Sequence, residues 1–201
     1  MWKQHRQQKR LLRRKRSSLF VYLLCGLGNK GAAYKYTRHN IGYLVIDRFA
    51  DRFGIPLTQK ISRCIVGEGQ EVLLAKPQTF MNLSGGPITS LMRKRNIQTS
   101  DLIVVHDDLD MEFGRLKIRL NGSDGGHKGI RSVIELVGSN LFYRVKLGIG
   151  RDPVLAPEEY VLSRFREDEL ETLSESLDRA ADAIEVFLAD GPAKAMSMYN
   201  R

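Results

Sequence analysis

Apolar positions along this chain follow two rhythms. Unbroken apolar runs of strand length occur at Leu19-Phe-Val-Tyr-Leu-Leu-Cys25 and Leu102-Ile-Val-Val105, each ending in turn or polar residues. Such runs read as buried strands. Ile41, Leu44, Val45, Phe49 and Phe53 instead recur at helical spacing, with Asp47, Arg48, Asp51 and Arg52 on the opposite face, until Gly54 and Pro56 stop the helix. Residues 61–67 and 71–76 read as two strands joined at Glu68-Gly69-Gln70. Lys76 to Pro87 is a loop that opens a helix carrying Ile88, Leu91 and Met92. Arg115-Leu-Lys-Ile-Arg-Leu120 alternates, so Arg115, Lys117 and Arg119 share one strand face and Leu116, Ile118 and Leu120 the other. Asn121 to Gly126 reads as a flexible loop, and His127 to Val137 as a helix with Ile130, Val133, Ile134 and Val137 inward. Phe142 to Ile149 is a further strand, with Arg144 and Lys146 on one face. Residues 167–189 form a long amphipathic helix, broken by Asp190-Gly191-Pro192 before a short terminal helix. There is no internal repeat and no second domain. The pattern predicts a single α/β domain with a mixed, mostly parallel twisted sheet flanked by helices.

Charge changes the picture at one end only. The 201 residues carry a formal charge of +9. Eight of the 32 basic residues fall in residues 1–18, which hold no acid, leaving a body of 24 basic and 23 acidic residues. The expected organisation is therefore a disordered basic extension over 1–18 and a folded, nearly neutral domain over 19–201. The extension has three readings: an arm adding RNA affinity, an organelle-targeting presequence, or a solvated tail. No apolar run approaches the length of a membrane span. Cys25 and Cys64 lie far apart without metal-ligand spacing, which suits a reducing cytoplasm.

Candidate chemistry gathers after the first strand. Gly26-x-Gly28-x-x-Gly31 matches a dinucleotide fingerprint, but the helix is delayed, and Asp47 and Asp51 fall within that helix rather than after a second strand where a ribose-binding acid belongs. The glycines are better read as allowing a tight turn around Asn29. His39 stands between that loop and a helix, and Asp107 stands at the end of another strand. A carboxylate bonded to one imidazole nitrogen fixes the tautomer and leaves the other free to take a proton from water. His106 and His127 could join them as metal ligands, yet no HxH or HExxH spacing supports a metal. Ser84 lacks a nucleophile-elbow setting and is expected to cap the helix that follows. Asn29 and Asn82 are loop amides able to bond a substrate, or simply turn formers. Lys117 and Arg119, extended by Lys128, Arg131, Arg144 and Lys146, either track a phosphate backbone or form a solvated sheet face.

Six segments occur here in one order: Gly26-Leu-Gly-Asn29, Thr37-Arg-His-Asn-Ile-Gly42, Phe80-Met-Asn-Leu-Ser-Gly85, His106-Asp-Asp-Leu-Asp110, Gly125-Gly-His127 and Gly148-Ile-Gly150. Over roughly residues 20–199 the chain resembles the bacterial peptidyl-tRNA hydrolase family. That resemblance implies a monomeric, cytoplasmic, metal-independent esterase without cofactor that cleaves the bond between peptide and tRNA. It implies that His39 activates water, Asp107 stabilises the working form of His39, and Asn29 discriminates N-blocked from free aminoacyl-tRNA. Asn82 would act in catalysis and, with Tyr34 and Phe80, in tRNA contact. Lys117, Arg119, Arg144 and Lys146 match the family's phosphate-binding region. Two departures stand out: Lys128 where members often carry Asn, and Lys30 where they often carry Pro. The rival reading is an RNA-binding protein on the same scaffold without hydrolysis.

Overall fold

The computed structural model describes residues 22–200. The extension expected over 1–18, and the start of the first apolar run, lie outside the described residues. Seven strands are present: β1 (Tyr22–Gly26), β2 (Gln59–Ile61), β3 (Cys64–Glu68), β4 (Val72–Pro77), β5 (Leu102–Asp108), β6 (Leu116–Leu120) and β7 (Tyr143–Gly148). They form one sheet in the order β2-β3-β4-β1-β5-β7-β6. The central strands β4, β1, β5 and β7 run parallel, while β3 joins β4, β2 joins β3, and β6 joins β7 in antiparallel fashion. The described part of the first run and the whole of the second form β1 and β5, neighbours in the middle of the sheet, where both faces are covered.

Helices α1 (Ile41–Phe53), α2 (Gly85–Arg95), α3 (Lys128–Val137), α4 (Pro157–Leu162), α5 (Leu170–Asp190) and α6 (Pro192–Tyr199) complete the fold. Strand alternation divides the core in two. Leu24, Ile103, Val105 and Val145 pack with Val45, Phe49, Ile184 and Phe187 of α1 and α5. Leu23, Cys25, Leu102 and Val104 pack with Ile88, Leu91, Ile130 and Val133 of α2 and α3.

Two elements were not foreseen. The hairpin read over 61–76 is preceded by β2, joined to β3 through Ser62 and Arg63, both left-handed at φ 50° and 59°. A two-residue turn without glycine or asparagine gives no sequence signal. Helix α4 starts on Pro157 with Glu158 and Glu159 in its first turn, a favourable helix start on a segment too short to show periodicity. Ser84 also departs from expectation: its hydroxyl donates to Met81 O at 2.7 Å instead of capping α2.

The glycines of the first motif have a packing role. A Cβ on Gly26 would lie 2.2 Å from Gly42 O, and one on Gly42 would lie 2.5 Å from Val105 O. The start of α1 therefore rests directly on the backbones of β1 and β5. This close approach hangs the 3-10 turn Arg38–Asn40 over the carboxyl ends of those strands.

Candidate functional site

The carboxyl ends of β1, β5 and β7 open into a cleft of about 670 Å³. In open parallel sheets this is where sites form. At its floor, His39 Nδ1 lies 2.9 Å from both carboxylate oxygens of Asp107, and His127 Nε2 lies 3.0 Å from Oδ1 of the same group. Asp107 and His106 are the sixth and fifth residues of β5, so alternation sends them to opposite sides of the sheet. Asp107 meets the turn before α1. His106 turns toward α3, with its ring edge-on to that of His127 at 4.8 Å between centroids.

The hydrogen bonds fix every tautomer. The His127 side chain caps α3, with Nδ1 accepting from Gly129 N and Ile130 N, both at 3.1 Å. Nδ1 is then unprotonated, and Nε2 carries the hydrogen donated to Asp107. His39 Nδ1 faces an acceptor-only carboxylate, so it too carries a hydrogen, and its Nε2 keeps a lone pair. His106 Nδ1 donates to Asp107 O at 2.6 Å, which leaves a buried Nε2 without a protein partner. Burial would raise the Asp107 carboxyl, but electrostatic attraction to the His39 and His127 imidazoles and their hydrogen bonds outweigh it and hold the group well below the usual carboxylate range. Burial, reinforced by neighbouring His127, pushes His106 well below the usual imidazole value, against a smaller opposing pull from Asp107.

His39, Asp107 and His127 bring potential ligand atoms within 4.8 Å of one another, a clustering that sequence spacing gave no hint of. The donor set does not suit a metal. A metal on His127 Nε2 would force the hydrogen onto Nδ1, against the two N–H groups it now accepts from.

Asn29 is held from three directions. Asn40 Oδ1 accepts from Asn29 N at 2.8 Å, and Asn40 Nδ2 donates to Asn29 O at 2.9 Å. Asn29 Oδ1 accepts from Met81 N at 2.7 Å. The oxygen is committed, so what Asn29 offers the cleft is its NH₂ donor. Asn82, next to Met81, is exposed at the cleft edge. Tyr34 and Phe80 stand outside the cleft lining in a T-shaped contact, 6.4 Å between ring centres, with Lys30 Nζ 5.8 Å from the Phe80 ring centre.

The basic residues of β6 and β7 line the opposite wall. Register places Lys117 opposite Lys146 and Arg119 opposite Arg144. Directly opposed like charges destabilise a sheet, and the two cations of β7 each find local partners. Lys146 pairs with Asp108, and Arg144, 3% exposed, donates to Ser123 O and to Gly122 O. Arg144 thereby pins the loop expected to be flexible. Lys117 and Arg119 are exposed and make no ion pair among the described residues. Lys128 is exposed at the start of α3, 3.8 Å from Glu158 of α4. The residues that sequence reading did not single out are Asn40 and Arg38. They flank His39 in a recognised motif, but only their contacts reveal their purpose.

A parallel-sheet cleft with an imidazole bonded to a buried carboxylate, beside amide donors and a cationic wall, is an arrangement that suits a hydrolase. Comparison with known proteins makes this specific. The family model for peptidyl-tRNA hydrolase matches residues 23–201. The chain is 43% identical over 182 residues to the peptidyl-tRNA hydrolase of Citrifermentans bemidjiense, spanning 89% of this chain and 97% of that one. It is 44% identical over 186 residues to that of Solibacter usitatus, spanning 90% and 95%. The crystal structure of peptidyl-tRNA hydrolase from Acinetobacter baumannii superposes with a TM-score of 0.84 at 28% identity, covering 92% of this chain and 97% of that one. This chain belongs to the peptidyl-tRNA hydrolase family.

Proposed function

We infer that this protein hydrolyses the ester between a peptide, or an N-blocked amino acid, and the 3′ end of tRNA, with His39 as the proton acceptor. One observation carries the assignment of His39: its Nδ1 is bound to the Asp107 carboxylate, and Nε2 is the lone pair left for the cleft. Water bonded to Nε2 loses a proton as it attacks the ester carbonyl, and the imidazolium returns that proton to the departing ribose oxygen. Asp107, buried and ionised, holds the ring and stabilises the imidazolium. Positioned general-base catalysis supplies typically 10²–10⁴-fold. Asn82, exposed at the cleft edge, is the donor for the oxyanion, worth on the order of 10²–10³. An aminoacyl ester is a more reactive acyl donor than an amide, so these terms suffice without a metal.

Asn29 directs its NH₂ to the carbonyl of the first peptide bond. A free aminoacyl ester lacks that carbonyl and carries an ammonium, which would meet a donor where it needs an acceptor. Lys117 and Arg119 hold phosphates of the acceptor end. Lys146 and Arg144 add field and shape the wall, Lys128 contributes a cation at the rim, and Tyr34 and Phe80 offer ring surfaces to the terminal nucleotide. The protein acts as a cytoplasmic monomer. No helix among the described residues is long and apolar enough to cross a membrane.

The test is hydrolysis of N-acetyl-aminoacyl-tRNA by the purified full chain, with His39→Ala beside it. The expected result is turnover by the wild type and loss of at least 10² in kcat for the variant, with tRNA affinity retained. Tight binding of the substrate by the wild type with no turnover would establish the rival, a non-catalytic RNA-binding role.

A further inference from the structure

The three residues of the turn that carries His39 reach three different ways. His39 bonds Asp107, Asn40 bonds the backbone of Asn29 on both sides, and Arg38 faces away from the cleft into the protein. Arg38 is 2% exposed and is among the largest fully buried side chains in the described chain. Its Nη2 donates to Glu169 Oε2 at 2.6 Å, and its Nε donates to Ser163 Oγ at 3.2 Å. Its guanidinium lies 4.4 Å from the ring centre of Tyr160 and 4.8 Å from that of Phe165. The backbone adds Arg38 N to Ser163 O at 3.0 Å and a bridge between Thr37 and Arg164.

Every one of these partners lies in α4 or in the segment joining it to α5. That same short helix presents Pro157, Glu158, Val161 and Leu162 to the cleft. A buried ion pair contributes little net stability, because desolvation offsets attraction, and apolar substitutes of similar volume are often neutral or better. What a guanidinium provides and a methionine does not is direction: fixed planar donors, stacked between two rings. Nη1 has no protein partner among the described residues, so the group is held here at a cost that stability does not account for.

We propose that Arg38 is a positioning residue for hydrolysis, setting the His39 imidazole by docking its turn onto α4 and so tying the base to the wall of the cleft. The proposal rests on the reading of His39 as the base. A displacement of about 1 Å in a reacting group is enough to cost on the order of 10² in rate, and beyond the backbone contacts to Ser163 and Arg164 it is the Arg38 side chain that ties this turn to α4.

The deciding experiment compares wild type, Arg38→Lys and the paired variant Arg38→Met with Glu169→Leu, using N-acetyl-aminoacyl-tRNA under multiple-turnover conditions with thermal melts alongside. The paired variant removes both buried charges together, so it is expected to melt within a few degrees of wild type. Its kcat should fall roughly 10- to 100-fold while KM stays within about twofold. Arg38→Lys keeps the charge but loses the fork and the stack, and should recover only part of kcat. A folded paired variant with wild-type kcat overturns the proposal. Should the paired variant not fold, Arg38→Lys decides: lowered kcat at constant KM supports positioning, and wild-type kcat refutes it. Failure of the functional reading looks different, since the wild type itself would then be inactive or His39→Ala would leave the rate unchanged.

Discussion

On one wall of the cleft, the Asp107 carboxylate is buried and bonded by two imidazoles, one of them locked by the first turn of α3. On the other wall, Lys117 and Arg119 stand in water opposite Lys146 and Arg144. The first wall is expensive to build and needs no further adjustment before reaction. Its groups are already oriented, and the low-dielectric surroundings strengthen each bond. The second wall is cheap, exposed at Lys117 and Arg119, and screened by salt within about 8–10 Å. On the proposed reading, chemistry that tolerates no misalignment is assigned to the wall where packing dictates geometry, and recognition of a long polyanion to the wall where charge is enough.

Three perturbations would break or sharpen this contrast. The largest effect belongs to the buried wall. Asp107→Asn keeps the size of the group but removes its charge and replaces one of the two oxygens facing His39 Nδ1 with an NH₂. We expect kcat to fall on the order of 10³–10⁴ with KM nearly unchanged, as measured by single-turnover hydrolysis of N-acetyl-aminoacyl-tRNA. A loss confined to KM would show that Asp107 acts in binding.

The exposed wall should respond in the opposite parameter. Lys117→Ala with Arg119→Ala should raise KM on the order of tenfold, leave kcat within about twofold, and flatten the dependence of log(kcat/KM) on log salt by roughly one to two units of slope. Arg144→Ala would not behave as a third member of that set. Its guanidinium holds Gly122 O and Ser123 O, so its loss releases the loop as well as a charge.

The smallest effect is on stability against pH. His106 is held neutral, with its folded value depressed mainly by burial. Its contribution is full above the unfolded imidazole value of about 6.5 and is lost as the pH falls toward its own lower value. Asp107, also depressed, contributes fully above about 3.9 and loses its contribution only in stronger acid. Urea unfolding should therefore weaken in two stages on acidification. His106→Asn, which retains a donor toward Asp107 O, should remove the upper stage and spare the lower. An unchanged upper stage in that variant would assign it to another group.

Much of this was legible one residue at a time. The runs at 19–25 and 102–105 read as buried strands, as Tyr22–Gly26 and Leu102–Asp108 are, and the period of 41–53 read as a helix burying one face. Alternation over 115–120 put the cations together on one face, as the structure has it. His39 and Asp107 were legible as partners by chemical type and by their place at element ends. By contrast, the Ser62-Arg63 turn and helix α4 were silent, since neither has the composition or length from which such elements are read. Arg144 was misleading in a physical sense. A strand face tells which way a side chain leaves the sheet, not whether two loop carbonyls wait there.

Local order, then, was determined by the sequence itself: which segments extend, which coil, and which residues carry chemistry. Periodicity and steric preference act over a few residues and need no partner. Only the tertiary structure decided which nitrogen of each of His39, His106 and His127 is free, which cations remain exposed, and why an arginine beside His39 is buried. Those outcomes depend on groups far apart in the chain meeting within hydrogen-bond reach, as Arg38 and Glu169 do across 131 positions. Distance in space, and the water excluded there, are set by the packed fold alone.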